Sequence, residues 1–226
     1  MAKTTPRVEP KATPAGGARK RRPGRREQNK KATRNRIVAS ALSLFQSRGF
    51  EATTTKEIAR KARVAEGTVF NYFQTKEHIA LHFFEQEMEH AMAAVRGRPG
   101  LRKAPLEEKL FALVQSQLEF LAPHERFIGA ALVEGLRPAS RLGPFSVQAQ
   151  ELRLRYVAFV QELVAESLPA TRPSPLTWLG PQAFWIYYLG ALLYWLHDTS
   201  PGKQHTLAFL DWSLKIGVAV LMGRRS

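Results

Sequence analysis

From Lys31 onward, apolar residues return every three or four positions, in blocks separated by Gly, Pro and capping residues. That period places them on one face of a helix and leaves no room for the alternation a strand needs. The first block carries Ile37, Val38, Ala41, Leu42 and Phe45, and Gly49 stops it. Thr54-Thr55-Lys56-Glu57 then reads as a capping box, with Thr54 as N-cap and Glu57 reaching back to its N–H. It opens a short helix with Ile58, Ala59 and Ala62. After a break at residues 63–65 comes a second short helix, Glu66 to Phe73, and Thr75 caps a longer one from Lys76 to about Arg96. Leu81, Phe84, Met88, Ala91, Met92 and Val95 form its expected inward stripe. Further on, Pro105, Pro123, Pro138, Gly143-Pro144, Pro173 and Pro201-Gly202 divide the chain into helices near 105–121, 123–136, 145–168, 176–198 and 203–222. The expected fold is all-α, with about nine helices and no internal repeat.

Charge divides the chain differently. Of the net +15, residues 1–31 hold +9, from eleven Lys/Arg against Glu9 and Glu27. Apart from Met1, Val8 is their one large apolar side chain, so residues 1–30 cannot offset the entropy of ordering and read as a disordered basic tail. No apolar stretch follows the charges, so it is not a secretory signal. Absence of Cys excludes disulfides, thiolate metal sites and Cys nucleophiles, and fits a reducing, cytoplasmic setting. The expected organisation is a tail at 1–30, a smaller helical domain at 31–77 and a larger one at 78–226.

Two short helices joined by a three-residue turn, after a first longer one, have helix-turn-helix geometry. The outward residues of the second, Glu66, Thr68, Asn71 and Tyr72, are polar. Asn can bond adenine bidentately, and Thr can meet a thymine methyl. Eight Lys/Arg against three Glu in residues 32–76, Arg36 and Arg63 among them, suit phosphate contacts. The Arg-rich run at 19–26 is placed either to reach an adjacent minor groove or to serve only as a charged solubilising tail.

The residues themselves go further. Arg36 to Phe45 (RIVASALSLF), Gly49 to Ala59 (GFEATTTKEIA) and Val64 to Glu77 (VAEGTVFNYFQTKE) resemble the amino-terminal domain of TetR-family regulators over about 45 contiguous residues. The resemblance implies that Thr55 and Lys76 contact phosphate. It implies that Lys56, Glu66, Gly67, Thr68, Asn71 and Tyr72 face the groove, with Thr54 capping the first short helix. Two departures stand out. Phe70 replaces a usual Tyr, and the usual Ala-Gly-Val-Ser turn reads Ala62-Arg63-Val64-Ala65. Arg63 where Gly is favoured implies a strained or a shifted turn.

For the remainder, the resemblance implies an effector-sensing core and a homodimer formed by the last two helices. The residues agree: Phe184 to Leu196 is uninterruptedly apolar, and Leu207 to Met222 is apolar but for Asp211, Ser213 and Lys215. Helices apolar on most faces must be covered twice, so residues 176–222 are the expected dimer interface. Residues 178–196 are too short and too poorly flanked, with Pro181 near one end, for a membrane span. Candidate pocket residues are Phe111, Phe127, Glu134, Gln148, Tyr156, Phe159, Gln182, Trp185 and Tyr188, with Phe120, Trp178 and His124 beside them. A small hydrophobic or aromatic effector is the expected ligand class. His78, His82, Glu85 and Glu89 share one helix face at spacings that could hold a divalent metal or simply form a solvated face; the latter is preferred, and no metal or cofactor is expected.

No GxSxG, HExxH, P-loop or GxGxxG motif appears, so the chain does not read as an enzyme. The expected function is a ligand-responsive repressor, acting as a homodimer on a palindromic double-stranded operator. A ligand-independent regulator or an activator of the same fold is the alternative, ahead of an α-helical enzyme with a basic tail.

Overall fold

A computed structural model describes residues 24–137, 140–167 and 175–222; for 175–178 it describes the backbone only. Among these are nine α-helices, with short 3₁₀ turns before α5, α6 and α9: α1 (Arg25–Arg48), α2 (Thr55–Ala62), α3 (Glu66–Tyr72), α4 (Lys76–Gly97), α5 (Leu106–Leu121), α6 (Glu125–Gly135), α7 (Gln150–Ser167), α8 (Pro175–His197) and α9 (Gln204–Leu221). The all-α architecture is as expected. Of the expected tail, residues 1–23 lie outside the described residues.

Two helix starts differ from expectation. α1 begins at Arg25, six residues ahead of Lys31, and its first two turns are exposed and carry no apolar stripe. α7 begins at Gln150 rather than 145. Between Ser140 and Ala149 the chain makes consecutive turns, in which the Ser146 hydroxyl accepts from Ala149 N at 3.1 Å and donates to Arg141 O at 3.1 Å. Ser146 therefore holds the turn ahead of the helix, and Gln148 falls outside α7.

The three amino-terminal helices close around Ile37, Ala41, Phe45, Ile58, Ala62 and Val69, all essentially inaccessible to water. α4 leaves this head and runs into a bundle with α5, α7, α8 and α9, in which α5 contacts all the others. The buried face of α4 is Ile79, Ala80, Phe83, Glu87, Met88, Ala91 and Val95. Leu81, Phe84 and Met92, expected at its centre, are only partly buried at its edge. α6 braces the head against the bundle. Phe45 of α1 stacks on Phe127 at 5.3 Å, and Gln46 Nε2 meets Pro123 O and His124 Nδ1, both at 2.9 Å. Beside the start of α6, to which Lys203 is tied through Glu125, Asp198 closes the α8–α9 turn. Its carboxylate accepts from the amide and hydroxyl of Ser200 (2.9 and 2.6 Å) and of Thr206 (2.8 and 2.7 Å). Burial opposes the charge, but these four bonds outweigh it and hold the carboxyl below the usual range.

Candidate nucleic-acid interface and effector cavity

The head is built on local hydrogen bonds. Thr54 Oγ1 accepts from Glu57 N at 3.3 Å while Glu57 Oε2 accepts from Thr54 N at 3.0 Å, completing the capping box. The Thr54 amide, then its hydroxyl, lower the Glu57 pKa, and Arg48 at 2.7 Å adds to this. α2 ends in a Schellman motif, with Val64 N donating to Ala59 O at 3.0 Å and Arg63 N to Arg60 O at 3.2 Å. Arg63 takes the left-handed position that this motif requires, at φ 54° and ψ 48°, as its place in the sequence led one to expect. For a residue with a Cβ the conformation costs roughly 1 kcal/mol.

α3 is anchored from below by Val69, with Glu66, Gly67, Phe70 and Asn71 exposed and Thr68 and Tyr72 half-buried. A Cβ on Gly67 would meet nothing within 4 Å, so no packing inside the molecule calls for glycine there. Lys56, Arg60, Lys61 and Arg63 are exposed beside it, and Arg36 is exposed on α1. Two candidate phosphate ligands have partners already. The Thr55 hydroxyl donates to Glu66 Oε1 at 3.2 Å. Lys76 Nζ donates to the carbonyls of Phe50 and Glu51 at 2.9 and 3.1 Å and lies over the Phe50 ring at 4.6 Å. Lys76 thus ties the start of α4 to the segment between α1 and α2, a role its sequence position did not reveal.

The candidate pocket residues separate. Tyr156, Trp185 and Tyr188 meet around a cavity of about 70 Å³ between α4, α5, α6, α7 and α8. Their rings lie 5.4–6.0 Å apart. The others go elsewhere. Phe127 is fully buried in the aromatic stack beneath the head, where Phe83 and Phe84 also meet it. Phe120 packs by Phe83 and His90, and His124 is held by Gln46. Phe159 is buried under the guanidinium of Arg96 at 4.8 Å. Phe111 lines a separate groove between α5 and α9. Glu134 is engaged by Arg137 at 2.6 Å, and Gln182 is exposed on α8. Gln148 borders a polar cleft of about 460 Å³ between the head and α7. The side chain of Trp178 lies outside the described residues.

Two residues that the sequence reading passed over complete the cavity. Glu87 of α4 and Gln117 of α5 are 3% and 1% exposed. The Tyr188 hydroxyl donates to Glu87 Oε1 at 3.3 Å and that of Tyr156 to Gln117 Oε1 at 2.9 Å. Burial raises the Glu87 pKa to about 8, against the opposing hydrogen bonds from Gln117 and Tyr188, so the carboxyl is neutral at physiological pH. A signal was present. Glu87 sits on the apolar stripe running from Ile79 through Phe83 to Ala91, and Gln117 lies between Leu113 and Leu121 at the same four-residue spacing.

The polar face of α4 is engaged otherwise. Arg155 of α7 bonds Glu85 at 2.6 Å and Glu89 at 2.8 Å, His82 Nδ1 lies 2.9 Å from Glu85, and His78 pairs with Thr75 at 3.1 Å. Among the described residues no group of three or more His, Asp or Glu is arranged to hold a metal ion.

Comparison with known proteins agrees with this architecture. Residues 37–83 match the family model for bacterial regulatory proteins of the tetR family, and residues 109–224 match that for the tetracyclin repressor-like C-terminal domain. The HTH-type transcriptional regulator TcmR of Streptomyces glaucescens is 34% identical over 87 residues, 38% of each chain. The chain spans about two fifths of the length of the curated relatives it first matches. Among solved structures, a TetR regulator from Nitrosomonas europaea superposes with a TM-score of 0.65 at 21% identity, covering 82% of this chain and 97% of that one. Thermus thermophilus FadR, solved in complex with lauroyl-CoA, gives 0.58 at 26% identity and covers 85% and 95%. With one model matched by the head and the other by half the chain, the protein belongs to the TetR family of transcription regulators.

Proposed function

We propose that the chain is an effector-responsive repressor that binds a palindromic operator as a homodimer in the cytoplasm and catalyses no reaction. The observation that carries this reading is α4, one uninterrupted helix that meets the head through Lys76 and the cavity through Glu87. Eleven residues at 1.5 Å each separate those points by about 16 Å of rod. A ligand that pushes on Phe84, Glu87 and Met88 therefore tilts the end of α4 on which the head rests. The polar cleft between the head and α7 leaves room for that movement.

Asn71, Thr68, Tyr72 and Gly67 would enter the major groove, and the unexplained glycine suits close approach of nucleic acid. Lys56, Arg36 and Arg63 would contact phosphates. Thr54, Thr55, Glu66 and Lys76 would shape the head, with the remaining donor capacity of Lys76 available to the backbone. Dimerisation is supported by an apolar face on the last two helices: Ile186, Leu193 and Tyr194 on α8, and Trp212, Ile216 and Val220 on α9, are all at least 39% exposed. No helix among the described residues is long and apolar enough to cross a membrane, so that face suits a second copy of the chain.

The test is a gel shift of purified full-length protein on the DNA flanking its own gene. Expected is a specific complex that competitor DNA does not remove and that a bound effector weakens. Equal affinity for random DNA would refute operator recognition, and an effector that binds without changing operator affinity would refute the coupling.

A further inference from the structure

The cavity is chemically narrower than its apolar walls suggest. Among the described residues Glu87 is the one carboxyl group on it, and no Lys, Arg or His lines it. The partners of Glu87, the Tyr188 hydroxyl and the Gln117 amide, donate hydrogen bonds but carry no charge. The Tyr156 hydroxyl is already committed to Gln117. Trp185, also on the cavity, has a buried indole N–H with no partner among the described residues. A buried acid that accepts two hydrogen bonds and lacks a cation is half of a charge pair. Around it stand the rings of Tyr156, Trp185 and Tyr188, whose faces attract positive charge. The volume, about 70 Å³ where one water needs about 10–15 Å³ by the same measure, suits one ring with a short chain.

We propose that the effector is a compact apolar amine whose ammonium group pairs with Glu87 between the rings of Tyr156, Trp185 and Tyr188. The proposal rests on the reading of this cavity as the effector site. On binding, the ammonium brings one positive charge and Glu87 gives its proton to the solvent, so the cavity stays neutral. A carboxylate or an acyl-CoA would instead place an anion beside a carboxyl with no cation to receive it. The class expected here therefore differs from the lauroyl-CoA held by the Thermus thermophilus relative.

Full-length protein would be titrated calorimetrically, at about pH 7 and in two buffers of different ionisation enthalpy, with 2-phenylethylamine, 2-phenylethanol and 3-phenylpropanoate. The amine is expected to bind at least about tenfold more tightly than the alcohol, with the carboxylate weakest, and to release close to one proton per molecule bound. In Glu87→Gln the advantage of the amine over the alcohol should disappear and proton release should cease, and an advantage that survives overturns the pairing. Proton release by the unaltered protein tests the pairing independently of the variant. Alcohol or carboxylate binding as tight as the amine overturns the amine assignment and leaves the effector site standing. Binding of none of the three overturns both.

Discussion

The head and the bundle handle polar groups in opposite ways. In the head, Thr54, Glu57 and Arg48 satisfy one another at the surface, next to the residues they cap, and the buried Thr53 hydroxyl bonds the nearby Gly49 carbonyl. In the bundle, Glu87, Gln117, Tyr156 and Tyr188 meet across three pairs of helices deep inside, and the Trp185 N–H is left over. Locally closed hydrogen bonds make the head a body that moves as one piece. An interior network drawn from four helices makes the bundle responsive to whatever enters it, because low polarity magnifies any change there.

Cutting the joint between the two regions should have the largest effect. Phe45→Ala removes a ring stacked on Phe127 and tilted against Phe50, and is expected to cost about 3–5 kcal/mol in chemical denaturation. Loss of the head alone, with the bundle melting as before, would show that the two are less coupled than the stacking implies.

Next comes the interior acid. The folded pKa of Glu87, about 8, lies above its unfolded value, so its contribution is full below the ordinary carboxylate range and is lost as pH rises toward 8. Tyr156 and Tyr188, the other titratable groups on the cavity, are pushed higher still from the phenol range, by burial and then by Glu87, and remain neutral there. Glu87→Gln should therefore stabilise the protein at about pH 9 by roughly 2–4 kcal/mol and flatten the decline of its melting temperature between about pH 5 and 8. An unchanged pH profile would mean that water or a neighbouring group already relieves the acid.

The head should respond in DNA binding rather than in stability. Asn71→Ala is expected to weaken operator binding by about 1–3 kcal/mol and relax selectivity at one base pair, with the salt dependence unaltered. Lys56→Ala should lower affinity uniformly and reduce the salt slope by about one. A drop in melting temperature with Asn71→Ala would assign that residue to the fold instead.

The smallest effect tests the turn. Arg63→Gly relieves the left-handed strain and is expected to stabilise the head by up to about 1 kcal/mol while lowering the salt slope of DNA binding by about one. Gains in both would show that Arg63 stays clear of the phosphate backbone.

What the sequence disclosed follows the same division. The capping box, the Gly49 stop and the Thr75 cap act over three or four residues, so the spacing of α2, α3 and α4 could be read directly. The left-handed Arg63 was likewise foreseeable from its place in the turn. The first turns of α1 escaped because Arg25 to Lys30 contribute no apolar stripe. The cavity was legible only in part. Tyr156, Trp185 and Tyr188 announce themselves by size, but Phe111, Phe127 and Phe159 are equally large and pack elsewhere. Which aromatics converge depends on helices brought together from distant parts of the chain. Glu87 and Gln117 could have been found by asking which polar side chains fall on an apolar stripe.

The unpartnered indole of Trp185 has a practical consequence. An indole in a dry site, hydrogen-bonded to nothing and flanked by Tyr156, emits toward the blue. Any molecule that enters the cavity must alter the polarity around that ring. With Trp195 buried as well, Trp212 mostly exposed and the side chain of Trp178 undescribed, a Trp185→Phe difference spectrum would isolate its signal. The protein thus carries its own optical gauge of cavity occupancy, and a library of candidate effectors could be screened by light alone.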